Sequence, residues 1–152
     1  MSNANFTHFD NNGNAIMVDV SDKEISLRTA RASGFISLNP HALEAIKSGT
    51  VKKGDVLGIA RIAGISAAKR TADIIPLCHP LIYDFCKIDF NIDDINLQIE
   101  TICTVKLSGK TGAEMEALLG VSAALLTIYD MCKSIDREMI ISNIHLLEKT
   151  RA

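Results

Sequence analysis

The segment LTIYDMCK, residues 126–133, carries an aspartate and a lysine at a spacing that could do acid–base chemistry. Asp130 and Lys133 are three positions apart, so on a helix they are neighbours on one face. A carboxylate and an ammonium group placed together can accept protons from a bound substrate and donate protons to it. The same spacing also fits an exposed ion pair, which would contribute less than about 1 kcal/mol to stability. Spacing alone leaves both interpretations open.

A second candidate is the segment IPLCHPL, residues 75–81, in which Pro76 and Pro80 bracket Cys78 and His79. Each proline fixes its own φ and restricts the residue before it, so the loop should be stiff. A histidine held in such a loop could bind a ligand or act as a general acid or base. Zinc is disfavoured, because it needs three or four ligands at a recognisable spacing. A purely structural proline-rich turn remains the alternative.

The segment LSGKTG, residues 107–112, resembles a phosphate-binding loop between a strand and a helix. That loop requires a further glycine at the position that Thr104 occupies. Glu114 and Glu116, which open the predicted helix, would also repel a phosphate. We expect a capping box instead, in which Thr111 caps the helix and Glu114 reaches back to it. Helix spacing alone favours a solvated carboxylate for Glu116.

Glu116 and Asp130 belong to the same predicted helix but lie far apart on it. They are about 14 residues apart, which corresponds to a rise of about 21 Å. The two ends of this helix could therefore contribute to one compact site only if a second chain bridged the gap or the substrate were long.

These residues must be positioned by elements whose order the sequence predicts. Alternation predicts a strand over residues 25–30, with GFISL as its continuation. NPHALEAIKSG predicts a short helix, and residues 55–71, rich in glycine and alanine, predict a helix suited to close packing. A hairpin with one apolar face follows over residues 86–107. That face is predicted to hold Cys86, Ile95 and Cys103. A long helix over residues 112–134 and a strand near MIISNIHLL complete the order.

This order predicts the fold class, an α+β, ferredoxin-like split βαβ domain. Its antiparallel sheet would have helices packed on one face. We expect a single domain over residues 15–152, preceded by an asparagine-rich, flexible lead-in over residues 1–14.

Composition narrows the function classes. The chain has 152 residues and a net charge near −2, which gives no general attraction to nucleic acid or anionic membranes. Aromatic residues make up 5% and tryptophan is absent, so an RNA-binding sheet would have few stacking platforms. The N-terminal residues lack the apolar segment of a signal peptide. Four scattered cysteines favour reduced thiols in the cytoplasm. Lysines and arginines near the element ends could still form a local anion pocket.

Five blocks in one collinear order resemble the molybdenum cofactor biosynthesis protein C family, the cyclic pyranopterin monophosphate synthases. The blocks are MVDV (17–20), KKGDVLGIARIAGISAAKRT (52–71), IPLCHPL (75–81), GKTGAEMEAL (109–118) and LTIYDMCK (126–133). The resemblance extends from about Ala15 to Lys149, nearly the whole chain.

The resemblance implies a lyase-type reaction on a small molecule in molybdopterin synthesis. The family turns 3′,8-cyclised dihydro-GTP into cyclic pyranopterin monophosphate and releases pyrophosphate. Ring opening and reclosure need proton donors and acceptors, and the triphosphate needs cations. The resemblance implies no redox step, so no redox cofactor is expected, and the ligand spacing leads us to expect no metal site. A nucleotide-binding regulatory module without turnover is the alternative.

The resemblance also implies particular site residues and an assembly. Asp130, Lys133 and Lys53 take the catalytic positions. The substrate-binding positions fall on Leu77, Cys78, His79, Met115, Glu116, Glu114, Arg28 and Lys149. The implied assembly is a homohexamer, a trimer of dimers, with sites at the subunit interfaces. Nucleic acid and membranes are not expected partners.

Overall fold

The computed structural model describes residues 8–152, and its elements follow the predicted order. They are β1 (Ser26–Ser37), α1 (Pro40–Ser48), α2 (Val56–Ala68), α3 (Thr71–Ile74), β2 (Phe85–Asp93), β3 (Gln98–Gly109), α4 (Glu114–Cys132) and β4 (Ile140–Arg151). Residues 1–7 of the expected lead-in lie outside the described residues. In residues 8–14, the Asp10 carboxylate accepts hydrogen bonds from Asn12 N and Asn14 N at 2.9 and 2.8 Å.

The four strands form one antiparallel sheet in the order β2-β3-β1-β4. Strand β1 pairs with β3 from Ser26 opposite Gly109 to Ser37 opposite Gln98. The first and second strands are thus separated by the third, which is the split βαβ arrangement. The predicted ferredoxin-like α+β fold is confirmed.

The core lies between one face of this sheet and the helices. Alternate residues of β1 and β3 point into it and are almost fully buried, and they include Ala30, Ala32, Ile36, Ile99, Cys103, Val105 and Leu107. The glycine-rich face of α2 packs on α4, as predicted. A Cβ added at Gly64 would lie 2.8 Å from the carbonyl oxygen of Gly120, so the two helix backbones approach too closely for a side chain there.

Short-range hydrogen bonds explain where the first helices begin and end. Asn39 Oδ1 accepts from Ala42 N at 2.8 Å and starts α1, and Gly49, at φ 69°, ends it. Asp55 Oδ1 accepts from Gly58 N at 2.9 Å and starts α2. Helix α2 stops at Ala68, earlier than the predicted end near residue 71.

The β2–β3 hairpin is confirmed except at its turn. Cys103 is fully buried and Cys86 partly buried, as the alternation predicts. Ile95 was placed on the apolar face, and that prediction is wrong because its side chain is 92% exposed. Asp93 Oδ1 accepts from both Ile95 N and Asn96 N, at 3.0 and 2.9 Å. These bonds fold residues 93–96 into a tight turn and remove Ile95 from the strand.

Helix α4 begins later than predicted, and the capping box is wrong. Its N-terminal cap residue is Ala113, and no side chain caps it. Thr111 lies two residues too early to reach the helix amides, and Glu114 instead forms an ion pair with Lys149. By length and composition α4 is apolar enough to cross a membrane, but half of its apolar stretch is buried inside the protein. Its packing on α2, β1 and β3 is that of a core helix.

Candidate active site

Two groups of functional side chains lie at opposite ends of α4. Asp130 and Lys133 occupy its last turn and the residue that follows. Lys133 Nζ lies 2.7 Å from Asp130 Oδ1, as the spacing predicts. Lys53 Nζ lies 3.0 Å from Asp130 Oδ2 and 2.8 Å from the Asp130 carbonyl oxygen. The three predicted catalytic residues therefore form one cluster, here called the lysine–aspartate cluster.

Lys53 reaches this cluster because of the turn between α1 and α2. Gly54 has a φ of 97°, a conformation that favours glycine, and its N donates to Val51 O at 2.9 Å. The turn in KKGD therefore places Lys53 two residues before Asp55, the N-cap of α2, and beside the C-terminal end of α4. Helix α2 packs along α4, so this position is fixed by the core.

The cluster sets the protonation states of its members. Hydrogen bonds from Lys133 and then from Lys53 lower the pKa of Asp130 to about 2. The Asp130 carboxylate in turn raises the pKa of Lys133. At neutral pH the cluster therefore carries one carboxylate and a fully protonated Lys133. Its side chains are about half exposed, so a ligand can reach them.

A cavity of about 470 Å³ lies at the other end of α4. The proline-bracketed loop contributes Leu77, Cys78 and His79 to its wall. The first turn of α4 contributes Glu114, Met115 and Glu116, and β4 contributes Lys149. The structure thus brings together seven of the eight predicted substrate-binding residues.

The His79 ring in the cavity wall contacts a main-chain carbonyl group. Its Nε2 lies 2.7 Å from the Val18 carbonyl oxygen, so the ring joins the loop to the N-terminal residues. Burial, followed by Glu116 and then Glu114, raises the pKa of the neighbouring Cys78 thiol. Cys78 therefore stays a neutral thiol and is a poor nucleophile at neutral pH.

Glu116 is a buried carboxyl group, so the prediction of a solvated side chain is wrong. The residue is 4% exposed, and it lines both the cavity and a small pocket beside Thr71 and Pro80. Burial raises its pKa, and the nearby Glu114 raises it further. Among residues 8–152, no other side chain forms a hydrogen bond or ion pair with this carboxyl group. It is therefore available to a ligand in the cavity.

Arg28 is the predicted substrate-binding residue that does not line the cavity. Its Nε donates to Gly109 O at 2.9 Å and its Nη2 donates to Lys110 O at 3.0 Å. The residue is buried, and these bonds hold the loop that follows β3. That loop supplies Thr111 and Gly112 to the cavity wall. Arg28 thus affects the cavity indirectly, by fixing the loop that forms part of its wall.

Sequence reasoning missed the part of the cavity formed by the residues before β1. Val18, Val20 and Lys23 line the cavity, and Lys110 Nζ donates to Ser21 O at 2.6 Å. The MVDV block of this segment enters only through the family resemblance. Its lack of periodicity gave no sign that it would line a pocket.

Metal ligands are not clustered in the part of the chain that the structure describes. Within residues 8–152, no group of three or more His, Cys, Asp or Glu side chains could hold an ion. The charged residues in the cavity wall are Lys23, Lys149, Glu114 and Glu116.

The two groups cannot meet within one chain. Glu116 and Asp130 are separated by about 21 Å of helix rise, and the lysine–aspartate cluster does not line the cavity. Exposed apolar side chains lie between them on the outer surface of the helix layer, among them Leu126, 61% exposed, and Ile62 of α2, 68% exposed. Singly exposed aliphatic side chains are common on protein surfaces, whereas a contiguous patch of them marks an interaction surface.

Comparison with known proteins identifies the family. The model of the MoaC family matches residues 17–152. A cyclic pyranopterin monophosphate synthase of Clostridium botulinum is 59% identical over 145 residues, which cover 95% of this chain and 91% of the relative. Relatives with the same name from Clostridium perfringens and Clostridium acetobutylicum are both 54% identical, and this chain covers 90% of each. The chain belongs to the MoaC family.

Proposed function

We propose that this protein converts 3′,8-cyclised dihydro-GTP into cyclic pyranopterin monophosphate and releases pyrophosphate, in molybdenum cofactor biosynthesis. The observation that carries the proposal is the assembly of Lys53, Asp130 and Lys133 into one cluster. These residues come from distant parts of the chain, yet they form a compact set of proton-transfer and cationic groups. The relatives' shared name, cyclic pyranopterin monophosphate synthase, supports the same reaction.

The chemistry requires cations and proton-transfer groups of the kind that the lysine–aspartate cluster supplies. To form the cyclic phosphate, a hydroxyl oxygen attacks the α-phosphorus, and the bond from that phosphorus to the bridging oxygen breaks. Pyrophosphate leaves with the bond electrons, and the hydroxyl proton must go to a base. Lys53 and Lys133 offer ammonium groups that neutralise the triphosphate and donate protons to the ring being rebuilt.

Asp130 has a more specific role in this scheme. A carboxylate with a pKa of about 2 accepts a proton poorly while both lysines hold it. When the substrate phosphates draw one ammonium group away, the carboxylate loses a stabilising partner and its basicity rises. We therefore assign Asp130 two roles, which are to orient the lysines in the free enzyme and to accept a proton in the complex.

The cavity is the proposed binding site for the ring system and part of the phosphate chain. Met115 and Leu77 supply apolar contact, while Glu116 offers an unpaired carboxyl group to ring N–H donors. Lys149 supplies a cation, with its Glu114 partner holding it in place. Cys78, His79 and Glu114 complete the wall, and Arg28 contributes by fixing the loop after β3.

We propose further that a second copy completes the site. One copy would supply the cavity and its partner the lysine–aspartate cluster. Glu116 and Asp130 of one chain, about 21 Å apart along α4, would then not need to reach the same substrate. The exposed aliphatic residues on the outer surface of α2 and α4 support such a contact. The assembly we propose is a homohexamer built as a trimer of dimers, acting in the cytoplasm.

The experiment that tests the reaction uses purified protein and the cyclised dihydro-GTP. Pyrophosphate and the pterin product are measured over time, with GTP as the control substrate. Equal amounts of both products from the cyclised compound, and none from GTP, are expected. Tight binding of the cyclised compound without release of pyrophosphate would indicate the alternative, a nucleotide-binding regulatory module.

A further inference from the structure

Residues 17–24, MVDVSDKE, form part of the cavity wall and are here called the strap. They form neither helix nor strand. Val18, Val20 and Lys23 of the strap line the cavity. Internal bonds shape it, since Asp19 Oδ1 accepts from Ser21 N at 2.8 Å and Val20 O accepts from Lys23 N at 3.1 Å. These local bonds shape the strap but cannot fix it against the rest of the cavity wall.

Two side chains fasten the strap to the rest of the described structure. His79 Nε2 lies 2.7 Å from Val18 O, and Lys110 Nζ donates to Ser21 O at 2.6 Å. Within residues 8–152, these are the two hydrogen bonds that join the strap to residues 26–152. Asp19 lies in sequence between the two fastened residues, Val18 and Ser21. Hydrogen bonds from Ser21 lower the pKa of the Asp19 carboxyl group, and the charges of Lys110 and His79 lower it further.

Arg28 in turn fixes the main chain of Lys110 by hydrogen bonds. The guanidinium group bonds to the carbonyl oxygens of Gly109 and Lys110 at 2.9 and 3.0 Å. Arg28 is buried, so this end of the contact chain is anchored in the folded core. The contacts therefore run from Arg28 to Lys110, from Lys110 to Ser21, and from the strap to the cavity. A charge-assisted hydrogen bond of this kind is roughly twice as strong as a neutral one.

We infer that Arg28 and Lys110 are positioning residues that hold the strap, and with it Lys23, against the bound triphosphate substrate. The inference rests on the proposed function for its substrate but on the contacts above for the fastening. The ammonium group of Lys110 donates a hydrogen bond to the main-chain carbonyl of Ser21 in the strap. The guanidinium group of Arg28 donates to two main-chain carbonyls of the loop after β3. Neither side chain lines the cavity, so both act on the substrate through the strap.

The first test follows the strap without substrate. Hydrogen–deuterium exchange is measured on peptides covering residues 17–24 in the wild type, Lys110→Gln, Lys110→Arg and Lys87→Gln. Lys87 is the matched control, because it is an exposed lysine on β2 paired with Asp89 at 3.0 Å. We expect strap exchange to quicken about tenfold in Lys110→Gln, the scale of one lost charged hydrogen bond. Strap exchange in Lys110→Arg, which keeps a cationic donor, should stay near the wild-type rate. Strap exchange in Lys87→Gln should equal the wild-type rate. Unchanged strap exchange in Lys110→Gln would overturn the inference.

The second test links the strap to the substrate. For Lys110→Gln we expect KM for the cyclised dihydro-GTP to rise about tenfold while kcat stays within about twofold, because binding is weakened and the catalytic groups remain. Lys110→Arg should have a KM near that of the wild type. The double variant Arg28→Lys with Lys110→Gln should have a KM hardly higher than that of Lys110→Gln alone. Faster strap exchange with an unchanged KM would contradict the positioning role. If the wild type released no pyrophosphate, the proposed function would fail, and the exchange data would still decide whether Lys110 holds the strap.

Discussion

Lys53 and Asp130 lie 77 positions apart in the chain and are joined by two contacts from one ammonium group. Lys53 Nζ lies 3.0 Å from the Asp130 carboxylate and 2.8 Å from the Asp130 carbonyl oxygen. The second contact does not depend on the aspartate side chain. A substitution at Asp130 therefore removes the carboxylate while leaving Lys53 one of its two bonds, which makes this position suitable for a clean test.

The first prediction concerns Asp130→Asn and Lys133→Ala. Each should lower turnover by roughly 10²-fold or more, the usual scale for a lost acid–base group. The double variant should be hardly worse than the poorer single variant, because residues that act as one unit are not additive. Pyrophosphate release by the purified variants gives the comparison, and thermal melting should barely change.

A matched ion pair controls for the loss of surface charge. Lys87 and Asp89 lie 3.0 Å apart and are about half exposed, as Lys53 and Asp130 are. Asp89→Asn and Lys87→Ala should leave turnover unchanged. If the Asp89 and Asp130 variants behaved alike, the lysine–aspartate cluster would be only a surface ion pair.

The second prediction is a dependence of stability on acid. The Asp130 pKa falls from 3.8 to about 2 on folding, so the pairing stabilises the fold fully above about pH 4. That contribution is lost as the pH falls through the folded pKa. The difference in melting temperature between the wild type and Asp130→Asn should therefore be constant from pH 7 to 5 and should shrink towards pH 3. It should be small throughout because the pair is exposed. A difference that widened in acid would show that the sign of the pKa shift is wrong.

Local patterns were sufficient to predict the fold. Alternation in β2 and β3 predicted the hairpin, and the spacing of Asp130 and Lys133 predicted their contact. Both depend on residues close in sequence, where strand and helix periods fix the geometry. The errors arose where a local rule competed with a contact from elsewhere. Glu114 fits a capping box by spacing, but Lys149 of β4 takes its carboxylate.

The candidate site was less predictable from the residues alone. Glu116 lies four and eight residues before the buried Gly120 and Ala124, on the same face of α4. The interpretation as a solvated carboxylate gave its charge more weight than this spacing. The contact of Lys53 with Asp130 depends on how α2 packs along α4. The strap has no periodicity, and its place in the cavity wall depends on bonds from His79 and Lys110. The family resemblance supplied the site residues, and the structure shows which of them lie together.

The third prediction concerns the buried carboxyl group of Glu116. Its pKa is raised on folding, so the wild type loses stability as the pH rises above the ordinary value of 4.5. Glu116→Gln should melt at the same temperature as the wild type near pH 4 and at a higher temperature at pH 7. Substrate binding should weaken at the same time. Glu148→Gln on the exposed face of β4 is the control and should change neither property. A lower melting temperature for Glu116→Gln at pH 7 would contradict this account of the carboxyl group.

The fourth prediction concerns His79. His79→Ala should reduce kcat/KM by about tenfold, the scale of one lost hydrogen bond to the strap. The melting temperature should hold, because Pro76 and Pro80 restrict the loop. His79→Gln can still donate to Val18 O and should recover part of the activity. A collapse of stability with normal activity in the remaining folded protein would make His79 a structural residue.

The fifth prediction tests whether two copies build one site. Lys133→Ala disables the lysine–aspartate cluster, and Glu116→Gln impairs the cavity at the other end of α4. The two variants are co-expressed with different tags, and mixed assemblies are purified through both tags. A mixture of Lys53→Ala with Lys133→Ala is the matched control, because both changes lie in the same cluster and no pairing of these chains is intact.

Pyrophosphate release by these mixed assemblies is the decisive measurement. If each site takes its cavity from one copy and its cluster from another, random pairing leaves about a quarter of the sites intact in a symmetric assembly. The Lys133→Ala and Glu116→Gln mixture should then recover about a quarter of the wild-type rate, and the control mixture should stay inactive. Activity no greater than the average of the two variants measured separately would contradict a shared site. It would mean that a single chain carries the complete active site.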